Sequence, residues 1–350
     1  MKKKRLLTLS GSLLLVLIMI ATTSMTGHAQ QPLKLRVYYA TSPTAGQGMF
    51  VQAWLKKVEQ AAKGKVDLVF FPGAILGPPP ESYDMIRTGT VDCGIIVLGL
   101  HPGRFPMSEV CQLPFIGFEN AFDASRAVWA LYEKFPEFRA EYSSIKVIHI
   151  YCDAPTPIGS NKPIRKIEDI KGMRIRSLGG SPTEMMKALG GTPVLISPQD
   201  VYTAMERKVI DGWMWSWEGA IGNKLAEVTN SFTTANTYQP VLAFIMNTAV
   251  WNRLSPDIQK AFSDLGGVAG AEYCGREFDK ANQIEKAKVE AMKGKQIFNL
   301  SPEETNRWRE ACKPVWDKWS ADMEAKKLPG KAVLQETLRL AEKFTAEHKK

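Results

Sequence analysis

Two arginines stand two positions apart in residues 172–176 (GMRIR), a segment with the pattern of a short strand. Side chains two positions apart on a strand leave the same face, so Arg174 and Arg176 are predicted to point in one direction. The planar guanidinium of arginine fits a carboxylate in two parallel hydrogen bonds, so this pair predicts a site for an organic anion. A surface salt bridge is the alternative for either arginine, and it is favoured for Arg174.

A second group of residues with chemical potential lies in the sequence DGWMWSWE at residues 211–218. It contains tryptophans at positions 213, 215 and 217, which would share one face if the segment were extended. Core packing is the commoner role of such aromatic residues. The carboxylate of Glu218 either accepts a hydrogen bond from a ligand hydroxyl or amine, or lies in solvent.

Signatures of catalysis and of cofactor binding are missing from the sequence. There is no GxSxG, no GxGxxG after a strand, no phosphate-binding loop and no HExxH. The 4 histidines are scattered, and the 5 cysteines lie far apart without a CxxC pair. No metal site and no cofactor are therefore predicted, most cysteines are expected to be buried thiols, and one disulfide is left open. An enzyme is the least favoured interpretation, and turnover of a bound ligand would revive it.

Strand and helix patterns alternate along the chain and must position these residues. Strands are predicted at residues 33–39, 65–71, 91–97, 146–151, 172–176, 192–196, 209–215 and 241–247, with amphipathic helices between most of them. Repeated strand–helix units indicate mostly parallel sheets covered by helices, here in two α/β domains. After residue 247 the pattern is helical, with Ser255-Pro256 and Ser301-Pro302 as start signals.

The N-terminus has the layout of a secretory signal peptide, with a basic start, an apolar run at residues 13–21 and small residues before position 30. The run is about half of the roughly 18 residues needed to span a bilayer, so cleavage after Ala29 and a periplasmic location are expected. Cleavage lowers the formal charge from +9 to about +5, because the segment contains four basic residues and no acidic one. No later basic run is interleaved with aromatic residues, so nucleic acid is not an expected partner.

Three stretches in register resemble the DctP family of solute-binding proteins for tripartite (TRAP) transporters: residues 165–177, 190–212 and 244–261. The resemblance implies an α/β fold, a two-domain periplasmic-binding-protein clamshell with a long helix spanning both domains and C-terminal helices. After a signal peptide at 1–29, residues 30–150 and about 249–285 are predicted to form domain I. Residues 151–248 and about 286–350 are predicted to form domain II.

The resemblance also implies ligand-binding roles for individual residues. Arg176 corresponds to the arginine that holds the ligand anion, and Asn247 to an asparagine that bonds the same ligand, although a helix cap is the alternative for Asn247. Trp215 corresponds to a tryptophan that packs on the ligand. The family places the loops at residues 39–42, 73–81 and 113–115 at the mouth of the cleft, from which Tyr39 and Phe115 are candidate contacts.

The chain departs from many family members at residues 152–160 (CDAPTPIGS), where a second arginine is missing. This departure favours a less polar monoanion over a dicarboxylate held by two arginines. The predicted function is therefore a periplasmic protein that captures a small organic anion, most simply a carboxylate, for the membrane subunits of a TRAP transporter. A binding protein for an ABC importer or a sensor is the alternative.

Overall fold

The structure is a computed structural model that describes residues 31–348. The predicted signal peptide lies outside the described residues. Within them, the strands in chain order are β1 (Leu33–Tyr38), β2 (Val66–Phe71), β3 (Cys93–Val97), β4 (Ile145–Cys152), β5 (Ile158–Ser160), β6 (Arg174–Ser177), β7 (Thr192–Leu195), β8 (Gly212–Met214), β9 (Ser231–Thr234), β10 (Val241–Asn247) and β11 (Gln296–Asn299).

Helices cover both sheets and form most of the C-terminal third. In chain order they are α1 (Gly46–Ala61), α2 (Ser82–Thr88), α3 (Ala121–Lys134), α4 (Pro136–Ala140), α5 (Ser181–Ala188), α6 (Val201–Glu206), α7 (Trp217–Gly222), α8 (Thr248–Arg253), α9 (Pro256–Leu265), α10 (Gly267–Ala291), α11 (Pro302–Ala325) and α12 (Gly330–His348). Among residues 31–348, none of these helices is both long enough and apolar enough to cross a membrane.

The strands form two sheets, a five-stranded one in the order β2-β1-β3-β10-β4 and a six-stranded one in the order β11-β9-β5-β8-β6-β7. We call each sheet with its helices the first lobe and the second lobe. Parallel pairing prevails where strand–helix units repeat, in β1 with β2 and β3 and in β6 with β7 and β8. The strands next to the crossings between lobes pair antiparallel instead, because β4 leads out of the first lobe and β10 returns to it. The predicted mostly parallel sheets are therefore mixed.

The 25-residue helix α10 joins the two lobes. It packs against α3 and β4 of the first lobe and against α7 of the second. The next long helix, α11, also joins the two lobes. Its Trp308 lies in the core of the second lobe, and its Trp319 lies in the core of the first. The two-domain α/β fold with a long helix across both halves is confirmed.

The predicted division into domains differs from the lobes in three segments, one of which is the C-terminal half of α11 in the core of the first lobe. Strand β10, which was assigned to domain II, lies between β3 and β4 in the first sheet. Helix α12, also assigned to domain II, packs on α3 of the first lobe. Sequence periodicity reports which face of an element is buried but not which partner covers it. The sequence therefore could not show where the chain crosses from one lobe to the other.

Local signals in the sequence have the expected consequences. Helix α11 begins at Pro302, and the hydroxyl of Ser301 accepts a hydrogen bond from the N–H of Glu304 at 3.1 Å. A serine cap satisfies one of the N–H groups that the first helical turn leaves without a partner.

All five cysteines are buried free thiols.

Candidate functional site

A small cavity lies between the two lobes. It is bordered by the ends of β3, β6 and β8, the chain after β1 and the first turns of α1 and α7. Ends of strands are where open α/β sheets place ligands, since side chains from several strands converge there. Much of the lining is apolar, including Val97, Leu100, Leu178, Met214 and Leu242.

Arg176 lies in β6, inside the second sheet, and its side chain lines the cavity. The residue is only 2 % exposed. Its guanidinium donates to two backbone carbonyls, those of Met214 at 3.2 Å and Ile196 at 3.3 Å. No carboxylate among residues 31–348 lies within the 4.0 Å of an ion pair with it. Burial lowers the pKa of Arg176 to about 10, so the group is still charged at neutral pH and lacks a counter-ion.

Trp215 covers the guanidinium of Arg176, whose central carbon lies 4.4 Å from the centre of the indole ring. Such stacking fixes the plane of the guanidinium while leaving its edge free to bind an anion. The ring lies directly over the backbone of Gly219, where a Cβ would overlap it. Glycine at 219 therefore permits this position of the indole.

The three tryptophans do not share a face, because β8 ends at Met214 and α7 begins at Trp217. Trp213 is buried in the second lobe and donates to the hydroxyl of Thr229 at 2.9 Å. Trp217 packs on Phe232. Of the three, only Trp215 lines the cavity, and the other two have the core role that was the alternative.

Tyr238 adds a hydrogen-bond donor near Arg176. The residue is 3 % exposed, and its hydroxyl has no hydrogen-bond partner in the part of the chain that the structure describes. Burial raises the pKa of Tyr238, while the nearby charge of Arg176 opposes that shift. The hydroxyl is therefore protonated at neutral pH. A buried donor without a partner carries a free-energy cost that a ligand oxygen would remove.

Glu218 lies elsewhere in the cavity and links the two lobes. Its Oε1 accepts a hydrogen bond from the N–H of Gln47 at 2.8 Å. The residue before α1 is Ala45, which has no side chain that can cap the helix, so Glu218 supplies this bond from the opposite lobe. Burial raises the pKa of Glu218 to about 7, against the opposing effect of the N–H of Gln47.

Asp153 is a second buried carboxyl in the cavity, at the point where the chain leaves β4. It accepts hydrogen bonds from the N–H of Ala154 at 2.7 Å and the hydroxyl of Ser216 at 3.0 Å. Burial raises its pKa, and the charge of Glu218 raises it further. The cavity therefore combines an unpaired cation with two carboxyls whose neutral forms are favoured.

The lobes touch directly around the cavity. Besides the bond between Gln47 and Glu218, the N–H of Gly179 in the second lobe donates to the carbonyl of Gly99 in the first at 2.9 Å. A Cβ at Gly99 would press on Leu178, a cavity residue, so the two loops meet only because glycine is present. This arrangement is the closed form of a clamshell.

Arg174 and Asn247 are not part of the cavity lining. Arg174 is at the exposed start of β6 and pairs with both oxygens of Asp211, at 3.0 and 2.9 Å. The side chain of Asn247 accepts from the N–H of Val250 at 3.0 Å, where it caps α8, and donates to the carbonyls of Ile86 and Arg87. Both residues have the structural role that the sequence left open as the alternative.

Tyr39 and Phe115 do not line the cavity either. Tyr39 is buried, stacks on Phe70 and donates through its hydroxyl to Oε1 of Gln47 at 3.0 Å, so it supports a cavity residue from behind. Phe115 is half-buried and packs on the core of the second lobe. From the three loops expected at the mouth, only Ala40 and Thr41 reach the lining.

Four polar residues of the cavity were missed in the sequence: Gln47, Asp153, Asn223 and Tyr238. Asp153 carried a usable signal, because an acidic residue directly after a fully apolar strand end is unusual unless it has a partner. Nothing local distinguishes Gln47 from any other polar residue in a first helical turn.

Comparison with known proteins identifies relatives along most of the chain. The family model for bacterial extracellular solute-binding proteins, family 7 (DctP), matches residues 38–322. A marine-metagenome TRAP solute-binding protein specific for aromatic acid ligands, in complex with 3-hydroxybenzoate, is 27 % identical with a TM-score of 0.85. The alignment covers 89 % of this chain and 99 % of that one.

Two further relatives bind other organic acids. A TRAP periplasmic solute-binding protein from Bordetella bronchiseptica, with bound (R)- and (S)-mandelate, is 26 % identical with a TM-score of 0.83, over 89 % of this chain and all (100 %) of that one. The C4-dicarboxylate-binding periplasmic protein DctP of Vibrio cholerae is 24 % identical over 274 residues, which are 77 % of this chain and 81 % of that protein.

Proposed function

This chain belongs to the DctP family of bacterial extracellular solute-binding proteins, and on that premise we propose that it captures a small organic acid with an apolar body in the cavity between its lobes. The family consists of solute-binding proteins rather than enzymes. We further propose that the protein works in the periplasm after removal of a signal peptide, and that it delivers its ligand to the membrane subunits of a TRAP transporter.

The observation that carries this proposal is the unpaired, buried charge of Arg176 at the cavity wall. Burying a cation without a counter-ion costs several kcal/mol, so an empty closed cavity is unfavourable. A ligand carboxylate would pair with the guanidinium and accept from the hydroxyl of Tyr238, which also lacks a partner. Both donors are placed before the ligand arrives, so little ordering is required on binding.

The apolar body of the ligand is supported by the remaining lining. Aliphatic side chains such as Leu100 and Leu178 offer no polar group to a second carboxylate. Two relatives bind aromatic acids, 3-hydroxybenzoate and mandelate, which have the shape that a flat indole and an apolar wall accommodate. An aromatic monocarboxylate therefore fits this cavity better than a C4-dicarboxylate does.

Closure couples ligand capture to delivery. A ligand that bridges Arg176 of the second lobe and the wall of the first favours the closed form, in which the Gly99–Gly179 and Gln47–Glu218 contacts are made. The membrane subunits would then distinguish the closed, loaded protein from the open, empty one.

A thermal-shift screen tests the proposal. The protein from residue 30 onward is unfolded and refolded to remove carried-over ligand, then screened against aromatic acids, aliphatic mono- and dicarboxylates, sulfonates and neutral sugars. An acid present at about 100 times its dissociation constant adds about 2.7 kcal/mol, which raises the melting temperature by roughly 5 °C or more. A shift with aromatic monocarboxylates is expected. A folded sample that responds to none of the acids would contradict the proposed function.

A further inference from the structure

Two carboxyls line a cavity that we have assigned to an anion. Glu218 is 4 % exposed and Asp153 is 6 % exposed. Buried carboxylates repel a ligand carboxylate and are costly unless something is bonded to them. Each carboxyl has a hydrogen bond within the protein, but the capacity left over on the cavity wall favours a second polar feature in the ligand.

The protein itself satisfies only part of their capacity. A carboxylate has about four lone-pair positions on its two oxygens. Glu218 receives the N–H of Gln47, with a contribution from that of Gly46, and Asp153 receives one donor on each oxygen. Both side chains lie on the cavity wall, where the remaining positions are open to a ligand.

Neighbouring side-chain donors are already used. The amide nitrogen of Gln47 donates to the hydroxyl of Tyr151 at 3.3 Å, and the hydroxyl of Ser216 donates to Asp153. Above its pKa of about 7, Glu218 is ionised and can only accept hydrogen bonds. A ligand group that donates a hydrogen bond complements this form, whereas a group that can only accept does not.

Glu218 and Arg176 line the same cavity but have different hydrogen-bond partners. Glu218 accepts from the start of α1 in the first lobe, whereas Arg176 donates to Met214 and Ile196 in the second lobe. We call Arg176 with Tyr238 the anion-binding group, and Glu218 with Asp153 the carboxyl pair.

From this geometry we propose that the ligand is an organic acid with a hydrogen-bond donor, a hydroxyl or an ammonium group, in addition to its carboxylate. Glu218, with Asp153, accepts that hydrogen bond and selects such acids over their unsubstituted counterparts. The proposal rests on the proposed function, since it concerns a second polar group of the same ligand.

Calorimetric titration of the refolded protein with one series of acids, buffered above the pKa of about 7 of Glu218 so that its carboxyl is ionised, tests this inference. The series is benzoate and its 3- and 4-substituted hydroxy, aminomethyl and methoxy derivatives. A hydroxyl or ammonium group donates, and a methoxy group of similar size only accepts. We expect at least one donor derivative to bind roughly tenfold more tightly than benzoate and than its methoxy analogue, the effect of one hydrogen bond to a charged or polar partner. Comparison of the hydroxy and aminomethyl acids shows which donor is preferred.

The variant Glu218→Gln identifies the acceptor. If Glu218→Gln alters closure through the bond to Gln47, the affinity for benzoate changes as well. The ratio of the affinity for the donor acid to the affinity for benzoate therefore isolates the ligand contact. We expect the ratio to fall from about ten to below three in Glu218→Gln, and to fall in Asp153→Asn also. Glu285→Gln, which changes a charge near Glu218 outside the cavity, is expected to keep the wild-type ratio.

The outcomes separate the two proposals. If benzoate and its derivatives bind with equal affinity, or if the donor preference survives in both Glu218→Gln and Asp153→Asn, the carboxyl pair has no role in selection and the inference is wrong. If no acid of this series or of the wider screen binds to the folded protein, the proposed function itself fails.

Discussion

Replacing Arg176 by methionine should strongly weaken ligand binding without destabilising the ligand-free protein. Methionine replaces the aliphatic part of the arginine side chain, but it is shorter and has no charge and no donor. An ordinary core residue behaves differently, because its removal lowers stability. The variant therefore separates a residue kept for binding from one kept for packing.

The expected size of the binding loss follows from the contacts that the guanidinium offers. Removing one partner of a buried, hydrogen-bonded charge pair costs about 2–5 kcal/mol. At about 1.4 kcal/mol for each factor of ten, the affinity should fall between roughly 30-fold and several thousandfold.

The expected effect on stability is small because two contributions oppose each other. The variant loses two hydrogen bonds to backbone carbonyls, at 3.2 and 3.3 Å, which are long for such bonds and stabilise the protein by at most about 1 kcal/mol each. It also removes a buried charge without a counter-ion, and replacing buried ionic groups by apolar ones is neutral or stabilising by about 1–4 kcal/mol. The free energy of unfolding should stay within about 1 kcal/mol of the wild type, or rise.

Titration calorimetry measures the affinity, and urea denaturation of ligand-free protein measures the stability. Arg174→Met is the matched control: it lies on the same strand, two residues away, but is exposed and paired with Asp211. That control should bind like the wild type. An Arg176→Met protein that folds and keeps its affinity within threefold would refute the assignment of Arg176 to the ligand anion.

Three other substitutions test the remaining assignments. Trp215→Ala should reduce the affinity for aromatic acids at least tenfold, because the ligand loses an aromatic surface, and titration calorimetry checks this. Asn247→Ala should lower the free energy of unfolding by about 1–3 kcal/mol through loss of the α8 cap, with unchanged affinity, and reduced affinity would restore Asn247 as a ligand contact. For Glu218, whose pKa burial raises from 4.5 to about 7, the wild-type stability should fall relative to Glu218→Gln as the pH rises from 4.5 to about 7 and then stay constant. Denaturation curves across that range with no such difference would show that Glu218 is not buried in the ligand-free protein.

Much of the fold was accessible from the sequence because its elements have regular patterns. Strands such as β1, β2 and β10 alternate or are continuously apolar, and helix α11 has a serine cap followed by proline. The strand predicted at residues 209–215 is shorter in the structure, where β8 is Gly212–Met214, so the extended segment that would align the three tryptophans is not formed. The Ser216 cap, whose side chain accepts from the N–H of Gly219, ends the strand and starts α7 there.

The candidate site was only partly accessible. Arg176 and Trp215 stand in stretches with family resemblance, and both line the cavity. Contacts between distant segments cannot be seen in local patterns: Gln47 and Glu218 are 171 positions apart. The unpaired hydroxyl of Tyr238 is a property of its three-dimensional environment, which no spacing rule reports.

A crystal structure of the protein with an acid found in the thermal-shift screen tests the central claim most directly. The account predicts a closed protein in which the ligand carboxylate accepts two hydrogen bonds of about 2.7–3.0 Å from the guanidinium of Arg176, with its apolar body against Trp215. A ligand whose carboxylate lies away from Arg176, or that binds outside the cavity, would contradict it.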